Sequence, residues 1–130
     1  MGRTVFVFGS NDAGMHGAGA AKTAYEKHGA RWGFSYGHMG DTFAIPTKDA
    51  DIRSLPMERV QAYVAGFIAY AKGHPKVKFK ITRIGCGLAG FNDTAIAPLF
   101  ADAPANCTFD EAWKPIFESM EIHHNYWGTF

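Results

Sequence analysis

The chain has 130 residues, a formal net charge of +1 from 13 basic and 12 acidic side chains, and 47% apolar against 19% charged content. That length suits one domain spanning residues 1–130, and a near-neutral charge spread along the chain excludes binding of nucleic acid by bulk electrostatic attraction. No apolar stretch is long enough to span a membrane or serve as a secretory leader, and Cys86 and Cys107 form no CxxC pair, so a reduced, cytoplasmic protein is expected.

"TVFVF" (Thr4 to Phe8), a β-branched and aromatic run stopped by Gly9, predicts a strand buried on both faces. The Ala-rich stretch from Ala18 to His28 predicts a helix, with Gly29 placed for its C-terminal cap. Residues 30–42, rich in glycine and aromatics, lack periodicity and read as loop with at most a short extended piece. Phe43 to Ile45 predicts a strand that Pro46 should end. Val60, Tyr63, Val64, Phe67 and Ala71 recur at helical spacing within residues 57–72, with Pro56 before them and Gly73 after.

Val77, Phe79 and Ile81 alternate with Lys78, Lys80 and Thr82, the pattern of a strand with one wet face. A second glycine-rich stretch, "GCGLAGF", follows it, and Asn92, Asp93 and Thr94 are placed to cap a short helix reaching about Asp102. "NCTF" predicts a final strand, and the aromatic tail beyond Asp110 carries no pattern. Strands alternating with helices predict an α/β fold, a three-layer α/β/α sandwich with a mixed, largely parallel sheet.

In such sheets ligands lie beyond the carboxyl ends of the strands, where both glycine-rich stretches fall. The first, residues 8–24, holds four glycines and five alanines. Side chains this small let backbone N–H groups approach an anion, and the helix N-terminus that follows adds partial positive charge, so a phosphate or diphosphate is the expected visitor. The alternative is that the glycines serve only turns and close packing. A P-loop is excluded, because Ala20 and Ala21 separate Gly19 from Lys22 and Thr23; a dinucleotide fingerprint fails where Lys22 replaces its third glycine. The six histidines lack metal-binding spacing, and neither metal nor cofactor is expected.

"SNDAGMHGAGAAK", "FAIPTK" and "ITRIGCGLAGF", in this order, resemble the macrodomain fold that recognises ADP-ribose. The likeness covers residues 4–102 and is greatest to the terminal ADP-ribose protein glycohydrolases and the DNA ADP-ribosyl glycohydrolase antitoxins. It implies ADP-ribose or an ADP-ribosylated macromolecule, protein or nucleic acid, as partner. Asn11, His16, Gly17, Ala18 and Gly19 would take one side of the ligand. Gly85, Cys86, Gly87, Leu88, Ala89, Gly90 and Phe91 would take the other. For Asn11 the alternative is an Asx-turn after the strand, and for Phe91 it is core packing.

The resemblance makes Lys48 the nucleophile that attacks the distal ribose. A free lysine, with its pKa near ~10.4, is almost wholly protonated at neutral pH, so such a role requires a pocket that favours the neutral amine. A solvent-exposed loop lysine is the alternative, and an inward-pointing Asp49 would oppose the role. One departure matters: the protein-directed relatives carry a catalytic aspartate where this chain has Ala89. Asp93, Asp12 and His16 are the nearest substitutes along the sequence. Both an ADP-ribosyl glycohydrolase and a non-catalytic binder or sequestering protein therefore fit the sequence.

Overall fold

The computed structural model describes residues 3–87 and 89–130. Among these, six strands form one sheet: β1 (Thr4–Asn11), β2 (Gly37–Met39), β3 (Thr42–Lys48), β4 (Lys78–Ile81), β5 (Cys107–Asp110) and β6 (Asn125–Gly128). The order is β2-β3-β1-β4-β5-β6, with only β2 antiparallel to its neighbour. Four helices accompany them: α1 (Gly19–Lys27), α2 (Met57–Lys72), α3 (Asp93–Ile96) and α4 (Lys114–Ser119). The fold is thus the α/β class expected, with a mixed, largely parallel sheet.

Strand alternation divides the core into two layers. Val5 and Val7 of β1 point toward α2 and meet Val60, Val64 and Phe67 there, while Phe6 and Phe8 point the other way, toward Ala24 of α1. The α2 side is the larger, and it is cemented by rings. Phe67 packs edge-on against Phe43 at 5.0 Å and Phe79 at 5.2 Å between ring centroids, and Phe100, Phe109 and Trp113 continue the cluster. On the opposite face the end of the chain returns across the sheet: Trp127 Nε1 donates to the Ile81 carbonyl at 3.0 Å, and Phe130 lies 5.9 Å from Phe6.

Three local expectations are corrected. β3 runs through Pro46 to Lys48 instead of ending at Ile45. β2 covers it only as far as Ala44, so Pro46 lies where β3 has become an edge and its missing N–H leaves no ladder gap. Asn92 stands at the N-cap of α3 without a side-chain cap bond. The Asp93 carboxylate is committed elsewhere, and the helix passes into a 3₁₀ turn (Ala97–Phe100) that accommodates Pro98. β5 is also not the last strand, since α4 carries the chain back to a parallel β6.

Phe67 is fully buried among aromatic neighbours and Met120 is 39% exposed, so truncation separates core from surface. Phe67→Ala is expected to cost about 3–5 kcal/mol of unfolding free energy, and Met120→Ala less than about 0.5 kcal/mol, both read from urea denaturation midpoints.

Candidate functional site

The first loop is built by short-range bonds at the end of β1. Asp12 N–H donates to the Lys48 carbonyl at 2.9 Å, and Gly14 N–H to the Asn11 carbonyl at 2.9 Å. The Asn11 amide brackets Met15, donating to its carbonyl at 2.8 Å and accepting its N–H at 3.0 Å. Asn11 therefore shapes the loop from within, through bonds to the residue four positions on and not the two of an Asx-turn. Past His16 the chain runs extended through Ala18 into α1, which has no side-chain cap and no acidic residue in its first turn. Among the described residues, the N–H groups of Gly17 through Ala21 donate to no other backbone group. These donors stand at the positive end of a helix dipole. A Cβ added at Gly17 or Gly19 would meet nothing within 4 Å, so the space before them is open.

The second loop is anchored more heavily. Thr82 is buried and bonded to the Val7 carbonyl through both its N–H (3.1 Å) and its hydroxyl (2.8 Å). Arg83 grips Asp93 through Nε and Nη2, both at 2.6 Å, and the buried Trp113 indole donates to the same carboxylate at 2.7 Å. The Arg83 contact, with Trp113 adding to it, holds the Asp93 carboxyl down to about 2. Gly85 (φ +73°) is enclosed: a Cβ there would lie 3.0 Å from the Phe91 ring and 3.3 Å from Thr47 Cγ2. Phe91 N–H closes the loop on the Gly85 carbonyl at 2.8 Å.

The two loops face each other across one cleft of about 530 Å³ at the carboxyl ends of the strands. Asn11, Gly17, Ala18 and Gly19 line it from the first loop. Gly85, Cys86, Gly87 and Ala89 line it from the second. Lys48 borders it at the end of β3. Burial, reinforced by the neighbouring Asp93 carboxylate, pushes the Cys86 thiol up to about 12, so it stays protonated and is a poor nucleophile at neutral pH.

Three expected site residues stand elsewhere, and Leu88 lies outside the described residues. His16 is buried behind the first loop, not in the cleft, because its ring packs against Phe8 and bonds to the Arg31 carbonyl. Phe91 supports Gly85 and joins the α2-side core, which draws its ring under the loop. Gly90 (φ +78°) serves the turn, where its N–H meets the Gly87 carbonyl at 3.0 Å.

Lys48 is half-buried and, among the described residues, makes no ion pair. Asp49 makes no ion pair with it: one carboxylate oxygen accepts the N–H groups of Asp51 (2.9 Å) and Arg53 (3.0 Å) within its own turn. Asp12 faces Arg59 at 3.5 Å. Ser54, bridged to Lys48, donates its hydroxyl to the Ala89 carbonyl, which brings Ala89 to the Lys48 side of the cleft.

Among the cleft residues that the sequence reading missed, Asp110 and Trp32 bear most on the site. Asp110, fully buried at the end of β5, accepts the Ala112 N–H on one oxygen (2.9 Å) and the Thr129 hydroxyl and Phe130 N–H on the other (both 3.1 Å). An acidic residue closing an apolar strand was its only signal. Trp32 borders the cleft from the aperiodic loop 30–36, and nothing in its local sequence marks it.

No protein-family model matches the chain, and no curated protein matches its sequence. Among solved structures, one described as a protein of unknown function from Bacteroides thetaiotaomicron superposes with a TM-score of 0.54 at 15% identity. The match covers 98% of this chain and 88% of that one. It establishes a shared fold. No helix among the described residues is long and apolar enough to cross a membrane.

The depressed Asp93 value sets a pH signature. Its stabilisation is complete above the unfolded carboxyl value of ~3.9 and is lost as pH falls toward the folded value of about 2. The urea midpoint of the wild type should therefore fall more between about pH 5 and about pH 2.5 than that of Asp93→Asn. Parallel pH profiles would show that the Arg83 pair contributes nothing.

Proposed function

We propose that the cleft recognises ADP-ribose, free or attached to a macromolecule. One observation carries this reading: two separate loops border one hollow with backbone N–H groups that, among the described residues, donate to no other backbone group. Gly17–Ala21 lie at the start of α1, and Gly85 and Gly87 lie beyond β4. Opposed sets of amides suit a diphosphate, whose oxygens need donors on both flanks. The sequence likeness of both loops to macrodomain loops supports ADP-ribose over other diphosphates.

A second reading is turnover, favoured by Lys48, which borders the same cleft and makes no ion pair among the described residues. The neutral Lys48 amine would attack the anomeric carbon of the distal ribose. The glycosidic bond would break, and its electron pair would leave with the protein or nucleic-acid group, which takes up a proton. Water would then add at the same carbon and return the lysine. Asp110 is unsuited to assist at that end, since three strand spacings, roughly 14 Å, separate β3 from β5. With alanine at 89 the resolving carboxylate is missing, which favours slow turnover or binding alone.

Calorimetry should show saturable ADP-ribose binding in the micromolar range, about −8 kcal/mol. Gly87→Glu, which sends a carboxylate into space where a Cβ meets nothing within 4 Å, should weaken it at least tenfold (about 1.4 kcal/mol). Unchanged affinity would remove the second loop from the site. Release of labelled ADP-ribose from modified protein and modified DNA tests turnover. Lys48→Ala should abolish any release, and Ala89→Asp should raise it at least tenfold, on the order of one well-placed acid or base. Release independent of Lys48 would refute that mechanism.

A further inference from the structure

His16 joins the first glycine loop to the aromatic loop at 30–36. Its ring is 1% exposed. Ring centroids lie 5.3 Å away at Phe8, 6.1 Å at Trp32 and 6.4 Å at Tyr25. Nε2 stands 2.8 Å from the Arg31 carbonyl. A carbonyl only accepts, so this contact puts a proton on Nε2. Among the described residues, Nδ1 is the one buried side-chain nitrogen or oxygen without a hydrogen-bond partner. Leaving such an atom dry is unfavourable, and a phenyl ring would fill the same space without that cost. Packing alone does not explain a histidine here. The bond to Arg31 does.

Other contacts fasten the same two loops. Gly33 N–H donates to the Gly14 carbonyl at 2.9 Å, and the Ser10 hydroxyl donates to the Ser35 carbonyl. Gly14 (φ +69°) allows this approach, because a Cβ there would come 2.6 Å from the Phe34 nitrogen. Loop 30–36 therefore hangs from the first glycine loop. It carries Trp32, 53% exposed, whose ring meets His16 and Tyr25 edge-on while the residue borders the cleft.

We propose that His16 is a positioning residue: by donating Nε2–H to the Arg31 carbonyl it fixes loop 30–36 so that Trp32 forms one wall of the cleft, and Trp32 in turn contacts the bound ligand. The ligand half of this proposal rests on ADP-ribose recognition. The positional half does not.

The experiment combines acrylamide quenching of Trp32, obtained by difference from Trp32→Phe, with ADP-ribose affinity by calorimetry. His16→Phe keeps the ring and loses the donor. It is expected to raise quenching of Trp32 and weaken ADP-ribose about tenfold. His16→Gln can supply an amide N–H in place of Nε2 and should keep both within about threefold of wild type. Trp32→Ala should cost as much affinity as His16→Phe, and the double variant no more than Trp32→Ala alone, since both act through one wall. Should His16→Phe not fold, His16→Asn, whose amide is too short to reach Arg31, takes its place. Wild-type quenching in the donor-less variant, or additive losses in the double variant, would overturn the proposal. If the wild type binds no ADP-ribose, ligand recognition and the ligand half fail together, while the quenching comparison still decides whether His16 positions Trp32.

Discussion

The architecture depends on how closely the end of β1 approaches the start of the second loop. A Cβ on Gly9 would stand 3.2 Å from the Gly85 nitrogen and 3.3 Å from the Thr47 hydroxyl, and one on Gly85 would press on Phe91 and Thr47 in turn. The ends of β1 and β3 thus meet the second loop with almost no side-chain volume between them. The width of the cleft follows, because the first loop leaves β1 and the second leaves β4, its parallel neighbour. Larger side chains at 9 or 85 would wedge the loops apart. Phe91, held against the α2-side core, braces the second loop from below.

Charged groups in and around the cleft are largely engaged by near neighbours. Arg83 is occupied by Asp93, Asp110 by three donors, Asp49 by its own turn, and Asp12 by Arg59. Lys48, Arg83 and the buried Asp110 border the hollow, and the rest of its lining is largely apolar, with the backbone of the two glycine-rich loops exposed in it. A site of this kind selects an anion by local geometry and needs no excess of basic residues. The near-neutral net charge of the chain therefore does not argue against an anionic ligand.

Much of this was legible in the sequence, for identifiable reasons. The α2 stripe and the alternation of β4 obey simple periodicities, and small residues after two strands located both loops. What escaped notice depended on tertiary partners. Nothing local says that Pro46 lies beyond the reach of β2, or that Asp93 turns from capping α3 to Arg83 and Trp113. His16 and Phe91 belong to loops that do form the cleft, yet their rings were drawn inward by Phe8 and by the α2-side core. The tail beyond Asp110 showed no pattern because β6 is only four residues long and draws its order from β5 and the Trp127 bond to Ile81. Asp110 became visible as a cleft residue only once the end of the chain was seen to bond to it.

The central claim is that opposed loop amides hold the diphosphate of ADP-ribose. A thermal-shift comparison of ADP-ribose, its phosphates, NAD and AMP, at equal concentrations, tests it most directly. Preferential binding to the folded chain raises the melting temperature, and at equal concentration a tighter ligand raises it more. ADP-ribose should give a clear rise and AMP little, since AMP lacks both the diphosphate and the distal ribose. An equal response to AMP, or no response to ADP-ribose, would contradict the claim.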